Sequence, residues 1–203
     1  MNLKGISLSR DDHRRPFTKF KLPSGKLTNI IINMSVSKEK DLPPKTLKEG
    51  DKAPLFSGMD QEGKKVSLAD FKGSRVVLYF YPEDDTPTCT IQACNLRDNY
   101  SLLKKEGFVV LGVSPDDERS HQKFKKKFSL PYTLIADPSH QIIDKYGVWG
   151  EKQMYGRHYM GLHRTTFVID QKGVIIKIYY RPKNKAHAEE IVASWKEVEK
   201  QRH

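Results

Sequence analysis

The run Val76-Val-Leu-Tyr-Phe-Tyr81, followed by Pro82-Glu-Asp-Asp-Thr86-Pro87, constrains the fold of this chain more than any other stretch. The apolar run is too short for a buried helix and is rich in β-branched and aromatic residues, so it reads as a buried strand. Pro82 ends it. Thr86 is a good helix N-cap residue, and Pro87 then falls at the first helical position, where its missing N–H costs nothing. The chain must pass from strand through a short loop into a helix, and that register sets Cys89 in the first turn. Free backbone N–H groups and the positive end of the helix dipole favour an anion there. A cysteine so placed is biased towards thiolate, its nucleophilic form. The alternative is a buried, inert cysteine.

The second cysteine, Cys94, follows in the same predicted helix. Five residues of ideal helix separate the pair by about 7.5 Å along the axis and about 140° around it. Their Cα atoms would then lie about 8–9 Å apart, beyond the roughly 7 Å that a disulfide spans. The two sulfurs can join only if the helix unwinds locally. A static staple has no need of that, whereas a redox cycle could use it. A plain core cysteine and an intermolecular partner remain the other readings of Cys94.

Around this unit the sequence predicts a complete α/β domain. Residues 55–68 read as two short strands about a Gly-containing turn. Ala93, Leu96, Tyr100 and Leu103 continue the cysteine helix at helical spacing. Phe108–Val113 reads as a second buried strand, 117–128 as a helix, Tyr132–Ile135 as a strand and Ser139–Tyr146 as a short helix. Thr165–Ile169 and Val174–Tyr180 form a predicted hairpin, and Lys185–Gln201 a closing helix with Ile191, Val192 and Trp195 inward. A β-α-β order followed by β-β-α implies a mixed sheet with helices on both faces, the thioredoxin-like architecture. Residues 147–162 stand apart. Gly147, Gly150, Gly156 and Gly161 punctuate a segment holding Trp149, Met154, Tyr155, Tyr159 and Met160. Read as a long connection, it either walls the site beside Arg164 or merely covers core.

Composition removes several classes. Two cysteines are too few for a disulfide-built secreted scaffold, and their spacing is neither that of a zinc ribbon nor C-x-x-C. The seven histidines show no metal spacing. No apolar run approaches the roughly 18 residues of a membrane span, and no signal-peptide core is present. The expectation is a cytoplasmic protein without membrane attachment. The net charge is +11, but residues 1–40 hold nine Lys and Arg against three Asp and Glu, a net +6, leaving +5 for the rest. Residues 1–44 therefore read as a basic, flexible N-terminal extension preceding a domain over 45–203, with Met34 the favoured alternative start. The run Lys125-Lys126-Lys127 reads as a solvated helix surface, not a nucleic-acid patch.

The motifs resemble a known family. Pro82-x-x-x-Thr86-x-x-Cys89 is similar to the peroxiredoxin active-site motif, and Thr86–Asp98, with its second cysteine, resembles the bacterioferritin-comigratory-protein (BCP) or PrxQ branch. The likeness extends through Gly112-Val-Ser-Pro-Asp-Asp, Leu130-Pro-Tyr-Thr-Leu, Tyr146-Gly-Val-Trp-Gly-Glu-Lys and Gly161-Leu-His-Arg-Thr-Thr-Phe-Val-Ile-Asp170, over roughly residues 45–200. Thr88 stands where many members have Gly, and Gln92 where many have Glu; neither change removes a group the chemistry needs.

The resemblance implies a role for each site residue. Cys89 is the peroxidatic nucleophile, which becomes a sulfenic acid, and Cys94 is the resolving thiol that closes the disulfide. Thr86 orients peroxide and sulfur; as a plain N-cap it would only satisfy a first-turn N–H. Pro82 shields the sulfur from water, beyond its chain-breaking role. Arg164, opening the strand Thr165–Ile169, supplies a permanent cation for the thiolate and for charge developing on the peroxide oxygens. The implied enzyme is a monomeric thiol peroxidase that reduces hydrogen peroxide and organic hydroperoxides, needs no cofactor or metal, and is recycled by thioredoxin or a similar dithiol. A general thiol–disulfide oxidoreductase and a basic nucleic-acid-binding protein are the competing readings, and no nucleic-acid module supports the last.

Overall fold

The computed structural model describes residues 47–154 and 156–202. The extension predicted for residues 1–44, with its alternative start, lies outside the described residues.

Strand β3 (Arg75–Phe80) is the spine of the sheet. Its side chains alternate: Val76, Leu78 and Phe80 enter one core, while Val77 and Tyr79, joined by Tyr81 beyond the strand, enter the other. Burial on both faces explains why the run is continuously apolar. β3 pairs in parallel with β4 (Phe108–Ser114), which pairs in parallel with β5 (Thr133–Ala136). Its other edge pairs antiparallel with β8 (Thr165–Ile169), and β8 with β9 (Ile175–Tyr179). β1 (Ser57–Asp60) and β2 (Lys65–Ser67) complete the far edge, giving the order β2-β1-β5-β4-β3-β8-β9. The mixed sheet carries helices on both faces, as predicted. They are unequally shared: α1 (Pro87–Asp98), α2 (Tyr100–Lys105), α3 (Glu118–Phe128) and α5 (His187–Arg202) supply the core that contains Cys89. α4 (Gln141–Lys145) and a 3-10 turn at Leu68–Phe71 cover the other face. Among the described residues no helix is long and apolar enough to cross a membrane.

Two sequence expectations need correction. The cysteine helix does not run unbroken to Leu103. It breaks at Asn99, whose side-chain amide donates to the Asn95 carbonyl at 3.0 Å while its backbone leaves helical geometry at ψ 12°. Asn side chains compete for backbone groups in this way, and the apolar period alone does not register it. The glycine-punctuated segment is not an irregular connection either. It is a two-stranded antiparallel ribbon, β6 (Trp149–Met154) with β7 (Arg157–Leu162), turning at positive-φ Gly156. Glycines had masked the alternation of a ribbon whose tip is exposed. Tyr155 lies outside the described residues.

The first residue of α5, His187, is buried, with Nε2 2.9 Å from the Thr166 hydroxyl and Nδ1 3.4 Å from Glu190. Burial holds its pKa down to about 4, against the pull of Glu190, and the nearby Arg164 cation lowers it further. The unfolded chain binds this proton near pH 6.5 and the folded chain only near 4. Stability is therefore lost as pH falls across that interval, with no further loss from this group below it. Urea midpoints measured from pH 7 to 4 should fall for the wild type and fall less for His187→Gln. Equal slopes would remove His187 from the account.

Candidate active site

Pairing in the sheet brings Arg164 to the cysteine. Phe80, the last residue of β3, is opposite Thr165, the first of β8. The residues just beyond this pair, Tyr81 and Arg164, therefore lie at the same end of the sheet, where the chain enters the Pro82–Thr86 loop. Across 75 positions of sequence, the Arg164 guanidinium donates from Nη2 to Cys89 Sγ at 3.1 Å.

Cys89 occupies the third position of α1, and its sulfur is buried, with the residue 2% exposed. Thr86 is the N-cap and Pro87 the first helical residue, as predicted, and the first helical bond runs from Thr90 N–H to the Thr86 carbonyl at 2.9 Å. The Thr86 hydroxyl makes no cap bond. It donates instead to the Glu83 carbonyl, at 3.2 Å. The capping reading of this side chain is thus corrected: it is turned back into the loop. No threonine oxygen then competes with an anion for the first-turn N–H groups. Pro82, half-buried, follows β3 by two residues and opens that loop.

Gln92 is a further member of the site. It lies one turn past Cys89, fully buried, and its Oε1 accepts from Arg164 Nη1 at 2.7 Å. The guanidinium is thereby held by two arms, one on sulfur and one on an amide, which fixes its plane. Gln92 Nε2 has no hydrogen-bond partner among the described residues. The sequence marked Gln92 only as a departure from the family pattern. The i, i+3 spacing from Cys89 was the available signal.

Cys94 is a free, half-buried cysteine on the same unbroken helix. It sits near Arg97, whose charge is favoured first by its bond to Asp98 and also by Cys94. Immediately after it, Asn95 ties α1 to α5: its Nδ2 donates to the Lys185 carbonyl at 3.1 Å and its Oδ1 accepts from Ala188 N–H at 2.9 Å. The ribbon comes beside Arg164, in a space that neither Cys89 nor Thr86 lines. Lys152 and Gln153 line a cavity of about 300 Å³ together with Arg164 and the segment Tyr180–Pro182. The lysine run is solvated only in part. Lys125 is half-buried and pairs with the Tyr132 carbonyl, and Lys127 forms an ion pair with Asp85 in the Pro82–Thr86 loop.

The arrangement is that of a nucleophile: a sheltered sulfur at a helix start, with a guanidinium held against it by a second anchor on Gln92. Known proteins share this framework. Residues 49–178 match the AhpC/TSA family. Peroxiredoxin Bcp of Escherichia coli K12 is 47% identical over 149 residues, covering 73% of this chain and 95% of that protein. Peroxiredoxin Bcp of Bacillus subtilis is 40% identical over 153 residues, covering 75% and 98%. A solved bacterioferritin comigratory protein of Xanthomonas campestris superposes with a TM-score of 0.67 at 28% identity, covering 72% of this chain and 98% of that one. With its cysteine at the start of α1 and its arginine opening β8, the chain belongs to the AhpC/TSA family, among the peroxiredoxins of the BCP/PrxQ branch.

Proposed function

We propose that this peroxidase reduces hydrogen peroxide and organic hydroperoxides at Cys89, and that Cys94 resolves the product. The observation that carries the reading is the 3.1 Å contact between Arg164 Nη2 and Cys89 Sγ at the start of α1. The structure of the Xanthomonas relative is described in terms of alkyl peroxide reduction. In the first step the Cys89 thiolate attacks the terminal peroxide oxygen. The S–O bond forms, the O–O bond breaks, and the leaving oxygen takes a proton to depart as water or an alcohol. Arg164 stabilises negative charge on sulfur and then on the leaving oxygen. The Thr86 hydroxyl, already donating to Glu83, keeps lone pairs with which to accept the peroxide hydrogen. In the second step Cys94 attacks the sulfenic sulfur and displaces water. A dithiol protein of the thioredoxin class then reduces the disulfide; this reductant, a monomeric state and a cytoplasmic location rest on family membership. A sulfur only 2% exposed admits a two-oxygen substrate far more readily than a protein disulfide, which disfavours a general oxidoreductase.

Intact mass after one equivalent of peroxide tests the scheme. Wild type should lose two hydrogens, and Cys94→Ser should gain one oxygen. A Cys94→Ser protein whose mass is unchanged would reject the sulfenic step.

The resolving step has a structural consequence. Cys89 and Cys94 lie on one intact helix, so the bond requires the first turns of α1 to unwind. Asn95, bound to α5, is the natural limit of that opening. Cross-linking so short a loop contributes only about 2 kcal/mol of entropic stabilisation. Lost helical bonds offset much of that, so the disulfide should be readily reduced. Amide exchange over residues 88–94 should accelerate on oxidation, while Val76–Phe80 stays protected. Equal protection in both redox states, with the Cys89–Cys94 bond confirmed by mass, would refute local unfolding.

A further inference from the structure

The Pro82–Thr86 loop is anchored through one buried carboxylate that the proposed chemistry does not use. Asp84, its side chain 4% exposed, receives the Tyr81 hydroxyl on Oδ1 at 2.7 Å. On Oδ2 it receives the Ser120 hydroxyl at 2.8 Å, and His121 Nδ1 lies 2.8 Å away. Its backbone N–H donates to Asp116 Oδ2 at 2.9 Å, and the same oxygen is held by the Ser114 hydroxyl at 2.6 Å. Tyr81 remains a donor, since burial, followed by the neighbouring Asp84 charge, raises its pKa well above the usual value. Ser120 and His121 lie in the first turn of α3, where the helix dipole also favours a carboxylate. The next loop residue, Asp85, takes a left-handed backbone at φ 57° and pairs with Lys127. Tyr81 just after β3, Asp116 just after β4, and Ser120, His121 and Lys127 of α3 thus hold the loop at the residues just before the N-cap of α1.

We infer that Asp84 is a positioning residue for peroxide reduction: through Tyr81, Ser120 and His121 it fixes the loop that sets Thr86 and Cys89 opposite Arg164. Asp84, Asp116 and His121 have the chemistry of metal ligands and lie within 4.8 Å of one another. The carboxylate oxygens already accept from protein donors, however, and His121 Nδ1 is on Asp84, so these groups form a hydrogen-bond network; only His121 Nε2 lacks a partner among the described residues. The partners of Asp84 are Tyr81, Ser120, His121 and Asp116, not the sulfur or Arg164; it acts through the backbone it holds. Small misplacement of a reacting group can cost on the order of 100-fold in rate, so the expected effect is large.

The inference rests on the peroxidase reading, and the test separates the two. Asp84→Ala should lower the stopped-flow rate of Cys89 oxidation by hydrogen peroxide roughly 10- to 100-fold. It should also raise the rate of Cys89 alkylation by iodoacetamide severalfold, because a released loop uncovers the sulfur. Opposite shifts of the two rates are not what mere loss of stability produces in a protein still folded at the assay temperature. Rates both within about twofold of wild type would overturn the role. Should Asp84→Ala not fold, His121 decides: His121→Asn keeps a donor near the Nδ1 position and should react close to wild type, while His121→Ala should be slow. An Asn variant as slow as the Ala variant would overturn the inference. A wild-type protein inert to peroxide would refute the peroxidase reading instead. The alkylation comparison would then still test whether Asp84 holds the loop, and unchanged alkylation in Asp84→Ala would overturn its role.

Discussion

Cys89→Ser should consume no hydrogen peroxide beyond the buffer rate, while Cys94→Ser should consume about one equivalent and stop. Only Cys89 combines the features that make sulfur reactive: a first-turn position on α1, free amides around it and a guanidinium at 3.1 Å. Cys94 has none of these and enters only after the sulfenic acid exists. A serine hydroxyl at position 89 is a far weaker nucleophile at neutral pH and cannot accept oxygen to form a sulfenic acid. The stalled Cys94→Ser protein should be trapped by a sulfenic-acid reagent such as dimedone, and a thioredoxin system should fail to sustain its turnover. Rapid multiple turnover by Cys89→Ser would end the assignment of the nucleophile. Sustained turnover by Cys94→Ser with a thioredoxin system would instead show that the reductant resolves the sulfenic acid directly.

Much of this site was legible in the sequence because its determinants are local. The strand Val76–Tyr81, the proline and the Thr86-Pro87 start fix where Cys89 falls, and each depends on residues a few positions away. The sheet was also readable, since the short apolar runs Val76–Tyr81 and Phe108–Val113 read as strands buried on both faces. What the sequence hid depends on long-range geometry. The Thr86 hydroxyl looked like a cap because threonine at an N-cap usually is one; here the loop carbonyl of Glu83 takes it. Gln92 looked like a neutral departure because nothing local says that the residue one turn past the sulfur faces an arginine from β8. Nothing local distinguishes Asp84 from its acidic neighbours Glu83 and Asp85, and its burial follows from α3, which starts more than thirty residues later. The break at Asn99 and the β6–β7 ribbon were missed for a different reason. In both places side-chain hydrogen bonding or glycine content overrides the apolar period on which the sequence reading relied.

Arg164→Ala should slow the reaction of Cys89 with peroxide by about 100-fold or more, comparable to the loss of one preorganised electrostatic donor in other enzymes. A 100-fold loss corresponds to about 2.7 kcal/mol of transition-state stabilisation. The geometry makes a sharper statement than charge alone. One nitrogen of the guanidinium is on Cys89 Sγ and another is on Gln92 Oε1 at 2.7 Å, so the plane of the cation is set before peroxide arrives. Lysine carries the charge but has one nitrogen on a flexible stem and cannot hold both partners in that plane, so Arg164→Lys should remain impaired by about tenfold or more. Gln92→Ala keeps the cation and loses only its second anchor, so its loss should fall short of that of Arg164→Ala. The variants carry an internal check on the charge itself. His187 is held down to about 4 chiefly by burial, with Arg164 contributing to the lowering. Removing the cation should let the His187 pKa rise in Arg164→Ala, and Arg164→Lys should keep it near its wild-type value. An Arg164→Ala protein in which His187 shifts upward but peroxide kinetics stay unchanged would show that the cation is present at the site without acting on the reaction, and the catalytic role of Arg164 would have to be given up.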